Sequence, residues 1–240
     1  MRTNNLSKFI ILFFSIFLYQ IIINNTFAAD IVHTDPGSDL IALAVKNKND
    51  LFNSGKNPVF VTMVATKDKP LPTTMGTIVV FYDYNCKYSR DLMQLLKIQL
   101  PKNAYKIIYR PIGMISDTSK AIAELALAAF DTKPESFVAL HQELSDLKYT
   151  LPLTVDNIKT ITAKAGLKYD DLLARVNSKA LGNEILQNQA LYDSIKFPGV
   201  PSMILAKLDS NNNIINDKIY FIAGSDTNQL EYNLYRISIQ

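Results

Sequence analysis

The chain of 240 residues holds one cysteine and two histidines. A single thiol cannot close an internal disulfide, so the hydrophobic core must carry the fold, and at this length it can. Metal binding has little to work with, because Cys86, His33 and His141 lie far apart in the sequence and share no spacing of the kind metal sites use. No lysine- and arginine-rich run interleaved with aromatics occurs, which speaks against nucleic acid as a partner. Internal repeats with periods of about 20–50 residues are absent as well.

What is present begins with an export signal. Arg2 and Lys8 give a positive start, Phe9 to Ile23 is an apolar run broken only by Ser15 and Gln20, and Thr26-Phe27-Ala28 meets the small-x-small rule. The run is shorter than the roughly 20 residues of a comfortable membrane span. Residues 1–28 therefore read as a signal peptide cut after Ala28 or Ala29, with an uncleaved anchor as the rival. Lipoprotein anchoring is excluded, since no cysteine stands at the cleavage site. The expected location is the periplasm. The 25 basic residues include Arg2 and Lys8 of the leader, so the remainder nearly balances the 22 acidic ones. Roughly 210 residues remain, enough for one domain with an insertion or two small ones.

Ser38 or Asp39 can cap a helix running to about Asn53, with Gly55 just past its end. Pro58 to Thr66 reads as a strand and residues 67–76 as a loop with two prolines. Thr77 to Asp83 is a short apolar run, the pattern of a strand buried on both faces. A helix opens at Cys86, carries Leu92, Met93, Leu95, Leu96 and Leu100 at helical spacing, and stops at Pro101. Ala104 to Ile112 is strand-like again, completing a βαβ unit. From Asp117 to Ile195 every signal is helical, with Pro134 near a first turn, Thr154 and Ser178 as caps and Gly166 as a stop. Two strands, 202–208 and 218–224, flank the turn-forming "DSNNNIIND", and a helix from Asp226 to Ile237 closes the chain.

The stretch "FYDYNCKYSRDLM", residues 81–93, raises the functional question. An odd cysteine in an exported chain is a free reactive thiol, an intermolecular bridge or a small buried residue. At the first turn of a helix following a buried parallel strand, the thiol sits at the carboxyl edge where open α/β sheets expose their sites. The unpaired N–H groups and positive end of the helix dipole favour a thiolate, and Lys87 and Arg90 add positive charge one and four residues on. The polar neighbours in "NCKYS" suit an exposed turn better than a core.

The order βαβ, helices, ββα, with "FYDYNC" at the cysteine and "GVPS" before the hairpin, resembles the DsbA-type thioredoxin-fold disulfide oxidoreductases. "VKNKNDLFNSGKNPV" and "QNQALYDSIKFPGVPSMIL" are similar to the branch of DsbG and ScsC-like proteins and outer-membrane-associated immunogenic proteins. The resemblance spans about Leu40 to Ile237. It implies an α/β, thioredoxin-like fold with a central mixed sheet and an inserted all-helical domain. The divisions expected are an N-terminal helical segment over 29–57, a thioredoxin-like domain over 58–115 and 196–240, and the helical insert over 116–195. It implies a site in which Cys86, Ser89 and Pro201 are catalytic, while Lys87, Tyr88 and Val200 touch substrate, with Pro201 in cis. No cofactor or metal is implied.

Where the family reads Cys-x-x-Cys, this sequence reads "CKYS". A serine hydroxyl cannot resolve a mixed disulfide, because exchange needs a thiolate at each step. Ser89 can instead hydrogen-bond the Cys86 sulfur. The implied activity is monothiol exchange, as isomerisation or mixed-disulfide formation, on exported proteins bearing disulfides or thiols, with glutathione or a membrane redox partner as further reactants. The alternative is a redox-inactive binding or outer-membrane-associated surface protein that kept the fold. The segment before the first strand is too short for a dimerisation domain, so a monomer is expected. His141, beside Leu140 and Leu144 in a helix, reads as a surface or boundary residue. A Cys86–His141 hydrolase lacks any surrounding signature, and Asp83 stands where a peroxiredoxin would carry Thr or Ser.

Overall fold

The almost unbroken apolar run of Gly76–Tyr82, which turns successive side chains to opposite faces, builds the centre of the molecule. In the computed structural model, which describes residues 37–61, 64–65, 75–100 and 104–239, this strand is buried along its whole length. Ile78, Val80 and Tyr82 face one core, and Val79 and Phe81 face a second on the opposite side. Each large apolar side chain so buried contributes on the order of 1.5–3 kcal/mol. The segment 1–28 expected to be a signal peptide, His33, most of the loop expected over 67–76 and Pro101 lie outside the described residues.

The elements in chain order are α1 (Gly37–Lys46), α2 (Lys48–Phe52), β1 (Val59–Val61), β2 (Val64–Ala65), β3 (Gly76–Tyr82), α3 (Lys87–Gln99) and β4 (Tyr105–Pro111). They continue with α4 (Ser119–Thr132), α5 (Pro134–Leu144), α6 (Val155–Lys164), α7 (Tyr169–Lys179), α8 (Leu181–Ile195), β5 (Ser202–Leu208), β6 (Ile214–Ala223) and α9 (Thr227–Ile239). The strands form one mixed sheet in the order β2-β1-β4-β3-β5-β6. β3 and β4 run parallel, as the crossover through α3 requires, and the other pairings are antiparallel. This is the α/β thioredoxin-like fold, with helices α4–α8 inserted between β4 and β5.

The first core joins one sheet face to α3, to helices α4–α7, to the start of α8 through Leu181 and Ile185, and to α9, so it runs from the sheet into the insert without a break. The second joins the other face to α1, α2 and the later half of α8 through Leu191, Tyr192 and Ile195. α8 thus serves both cores, and residues 37–240 form one compact unit.

Several sequence expectations shift. The strand expected over 58–66 is two short strands, β1 and β2, paired with Phe60 opposite Ala65. The first helix is divided at Asn47, and Ser38 and Asp39 fall inside its first turn rather than capping it. Ser178 lies within α7 and donates to Arg175 O, not at a cap. The break between α7 and α8 is made by Ala180 in the left-handed region. β6 starts at Ile214, four residues earlier than expected, because the turn closes tightly on Asp209, whose carboxylate accepts from Asn211 N and Asn213 N. Thr154 does cap its helix, in a reciprocal box with Asn157, and Asp226 accepts from the N–H groups of Asn228 and Gln229 at the start of α9.

One buried cation ties the N-terminal helices to the sheet. Arg110, near the end of β4, donates to the carbonyls of Asp50, Leu51 and Asn53 at the carboxyl end of α2, and to Asn188 Oδ1 on α8. A cation suits that end of a helix. Burial lowers its pKa to about 10 against the opposing pull of Glu184 and Asp50.

Candidate functional site

Cys86 is the residue preceding α3, with extended backbone (φ −93°, ψ 120°). It is reached from the buried strand β3 through the three-residue link Asp83-Tyr84-Asn85. β5 runs antiparallel beside β3 with Phe81 opposite Ser202. The residues just before β5 are therefore carried to the same sheet edge. There the Val200–Pro201 peptide is cis, Ser202 Oγ donates to Gly199 O at 2.6 Å, and Gly224 N donates to Pro201 O at 2.8 Å. The result is that the Cys86 thiol donates to the carbonyl of Val200 at 3.3 Å, across 114 positions of sequence.

The link around the cysteine is anchored by polar side chains that are themselves buried. The Asp83 carboxylate is fully covered and accepts three backbone N–H groups, from Asn85 (2.8 Å), Met114 (2.9 Å) and Ile115 (2.9 Å). Asn85 is a second clamp. The two protons of its Nδ2 are shared among Ser116 Oγ (2.7 Å), Thr118 Oγ1 (3.1 Å) and Ser119 Oγ (3.1 Å), and its Oδ1 accepts from Leu153 N at 2.7 Å. The loop is thereby fixed to the entry of α4 and to the segment that follows α5.

Polar neighbours of Cys86 therefore signal a hydrogen-bonded interior, not the exposed turn that "NCKYS" suggests. Cys86 itself is only 9% exposed, while Lys87 and Tyr88 are open to solvent. Ser89 is buried and its Oγ accepts from Asp83 N at 3.3 Å. Its hydroxyl proton stays free to turn. The two nearby cations have other partners. Lys87 Nζ is paired with Asp91 at 2.7 Å, and Arg90 points inward, donating to Tyr84 O at 2.7 Å and to the carbonyls of Asp146 and Tyr149. Burial lowers the Arg90 pKa, opposed by Asp146 and Asp83.

His141 is not a surface residue. It is buried in an aromatic cluster, stacked on Phe137, and its Nδ1 lies 2.8 Å from Tyr84 Oη, which in turn lies 3.1 Å from Tyr82 Oη. Burial drops its pKa to about 3, so the ring is neutral. Neither Asn85 nor the Tyr84–His141 pair was singled out from the sequence. A polar pair immediately before a lone cysteine, "DYN", was the only signal available.

Of the residues expected in the site, the structure gathers Cys86, Val200 and Pro201 at one sheet edge, with Ser89 one turn along α3 and Lys87 and Tyr88 on its exposed first turn. No family model matches the chain, and no curated protein matches it either. Among solved structures it is similar to the thiol-disulfide exchange protein alpha-DsbA2 of Wolbachia pipientis, with TM-score 0.66 and 17% identity over 85% of this chain and 100% of that one. A thioredoxin-like oxidoreductase of Silicibacter pomeroyi matches with TM-score 0.62 and 23% identity over 81% of this chain and 99% of that one. The catalytic domain of Proteus mirabilis ScsC matches with TM-score 0.60 and 21% identity over 83% and 99%. At these identities the likeness is one of fold, and the fold of this chain is that of the thioredoxin-like proteins.

Proposed function

We propose that the protein carries out thiol–disulfide exchange through the single sulfur of Cys86. The observation that carries this reading is the 3.3 Å approach of that sulfur to the Val200 carbonyl beside Pro201. An extended substrate segment can pair with the backbone at Val200 as an added strand, which brings its own sulfur to Cys86.

The Cys86 thiolate attacks one sulfur of a substrate disulfide. A Cys86–substrate bond forms, the substrate S–S bond breaks, and the other substrate sulfur leaves as a thiolate. Ser89 supplies no thiolate, so this adduct is released by a second substrate thiolate, which leaves the substrate with a different pairing and Cys86 free. Glutathione can release it in the same way. Neither route changes the oxidation state of Cys86, so the activity is isomerisation or mixed-disulfide formation, not net oxidation. Ser89 Oγ accepts from Asp83 N and makes no hydrogen bond with the Cys86 sulfur among the described residues, so in place of the expected bond to sulfur it holds the link that carries Cys86. Export to the periplasm, where disulfides persist, and action as a monomer on exported proteins belong to the same reading.

The test uses a scrambled-disulfide protein as substrate. Wild type accelerates recovery of the native pairing, Cys86→Ala does not, and Ser89→Cys gains the ability to reduce insulin. If wild type and Cys86→Ala behave alike, and wild type forms no adducts with periplasmic proteins that dithiothreitol reverses, the exchange reading fails and the fold serves binding alone.

A further inference from the structure

The loop that faces Cys86 is held at two fixed ends. Phe197 is buried in the second core, stacked on Phe221 and tilted against Phe81 and Tyr192. Ser202 is fully buried inside the sheet, opposite Phe81 on β3 and Ala223 on β6. Between them run Pro198, Gly199, Val200 and Pro201. Among the described residues three hydrogen bonds reach this stretch: Cys86 Sγ to Val200 O, Gly224 N to Pro201 O and Ser202 Oγ to Gly199 O, the last the shortest at 2.6 Å.

The direction of the Val200 N–H follows from that last bond. The Gly199–Val200 peptide is trans, and a trans peptide is planar with its C=O and N–H pointing to opposite sides. Holding Gly199 O on the Ser202 hydroxyl therefore aims the Val200 N–H away from Ser202, and among the described residues that N–H bonds nothing. Gly199 would not hold the peptide by itself. It has no Cβ, and one placed there would meet no atom within 4 Å, so neither bulk nor neighbours resist its turning.

Ser202 is placed to supply the restraint. Pairing with strands on both sides fixes its backbone, so its side chain works from a rigid base. A buried hydroxyl is costly unless it is bonded, and among the described residues its one bond goes to Gly199 O.

We infer that Ser202 is a positioning residue for exchange. Through Gly199 O it aims the Val200 N–H at a carbonyl of an extended substrate segment, which makes the site selective for disulfides carried on a polypeptide backbone. The inference rests on the exchange reading and adds the side chain that sets its docking edge.

Two probes separate docking from chemistry. One is an extended peptide whose single cysteine is disulfide-bonded to thionitrobenzoate; the other is dithiobis(nitrobenzoate), with the same leaving group and no backbone. With either, the Cys86 thiolate attacks, a new disulfide to Cys86 forms, the probe's S–S bond breaks, and thionitrobenzoate leaves as a thiolate read by its absorbance. Ser202→Ala should slow the peptide reaction by roughly three- to tenfold, the worth of about one hydrogen bond, and leave the small reagent within about twofold of wild type. Ser202→Thr, which keeps the hydroxyl, should restore the peptide rate. An unchanged peptide rate in Ser202→Ala, or equal slowing of both probes, would overturn the inference while recovery of scrambled disulfides by wild type still upheld the exchange reading. If wild-type Cys86 reacts with neither probe, the exchange reading and this inference fall together.

Discussion

Replacing Asn85 with alanine removes the clamp that holds the cysteine loop to the helical insert, and its cost can be worked from the bonds it makes. The buried N–H of Leu153 loses its only side-chain acceptor, at 2.7 Å, and an unsatisfied buried donor costs about 1–3 kcal/mol. The three hydroxyls on the other side lose less. Ser116 still bonds Thr118 and Ser119 at 3.2 Å, and Thr118 still donates to Leu153 O at 2.8 Å. A net loss of about 2–3 kcal/mol is expected once the small void is added. For a domain of this size that lowers Tm by about 5–10 °C. Urea denaturation of Asn85→Ala against wild type measures it directly. The loop carrying Cys86 should also loosen, so alkylation of the thiol by iodoacetamide should speed up. A stability change below about 0.5 kcal/mol, with an unchanged alkylation rate, would refute the reasoning and mean that Asn85 holds nothing the fold needs.

Two further predictions concern buried charge. His141 has a folded pKa of about 3, far below its ordinary 6.5, so the unfolded chain binds a proton that the folded one refuses. This contribution is whole above pH 6.5 and is lost as pH falls toward about 3; between about pH 7 and 4.5 it removes up to about 2–3 kcal/mol. Urea midpoints across that range should show the slope in wild type and a shallower one in His141→Phe, and equal slopes would contradict the buried neutral ring. Arg110→Met should cost about 3–5 kcal/mol, the usual result of breaking a buried charged network, and limited proteolysis should then cut first within residues 37–57. Arg110→Lys keeps the charge without the fork and should fall between the two; if Arg110→Met is as stable as wild type, the capping of α2 by this side chain is without consequence.

Residues 77–112 were legible as strand, helix and strand because each segment is short, strongly patterned and bounded by its own stop. Thr154 and Asp226 marked their helices because capping is a local bond between near neighbours. The resemblance of "FYDYNC" and "GVPS" to a family placed Cys86 and Pro201 in one site. No local rule would have done so, since 114 positions separate the sulfur from the carbonyl it meets. The split of the 58–66 strand was hidden because a hairpin that short leaves its two arms looking like one β-rich run.

By itself, the sequence determined that one sulfur stands at the mouth of a helix, that no second thiol follows three places on, and that two blocks of strands flank a run of helices. Tertiary structure alone decided what that sulfur faces, where its polar neighbours point and which side of the sheet each helix covers. Burial and long-range pairing depend on the sum of all contacts in the folded chain. Asp83, Asn85 and His141 are polar letters that any surface could hold. Only packing against Met114, Ile115, Leu153 and Tyr84 turned them into the interior supports of the Cys86 loop.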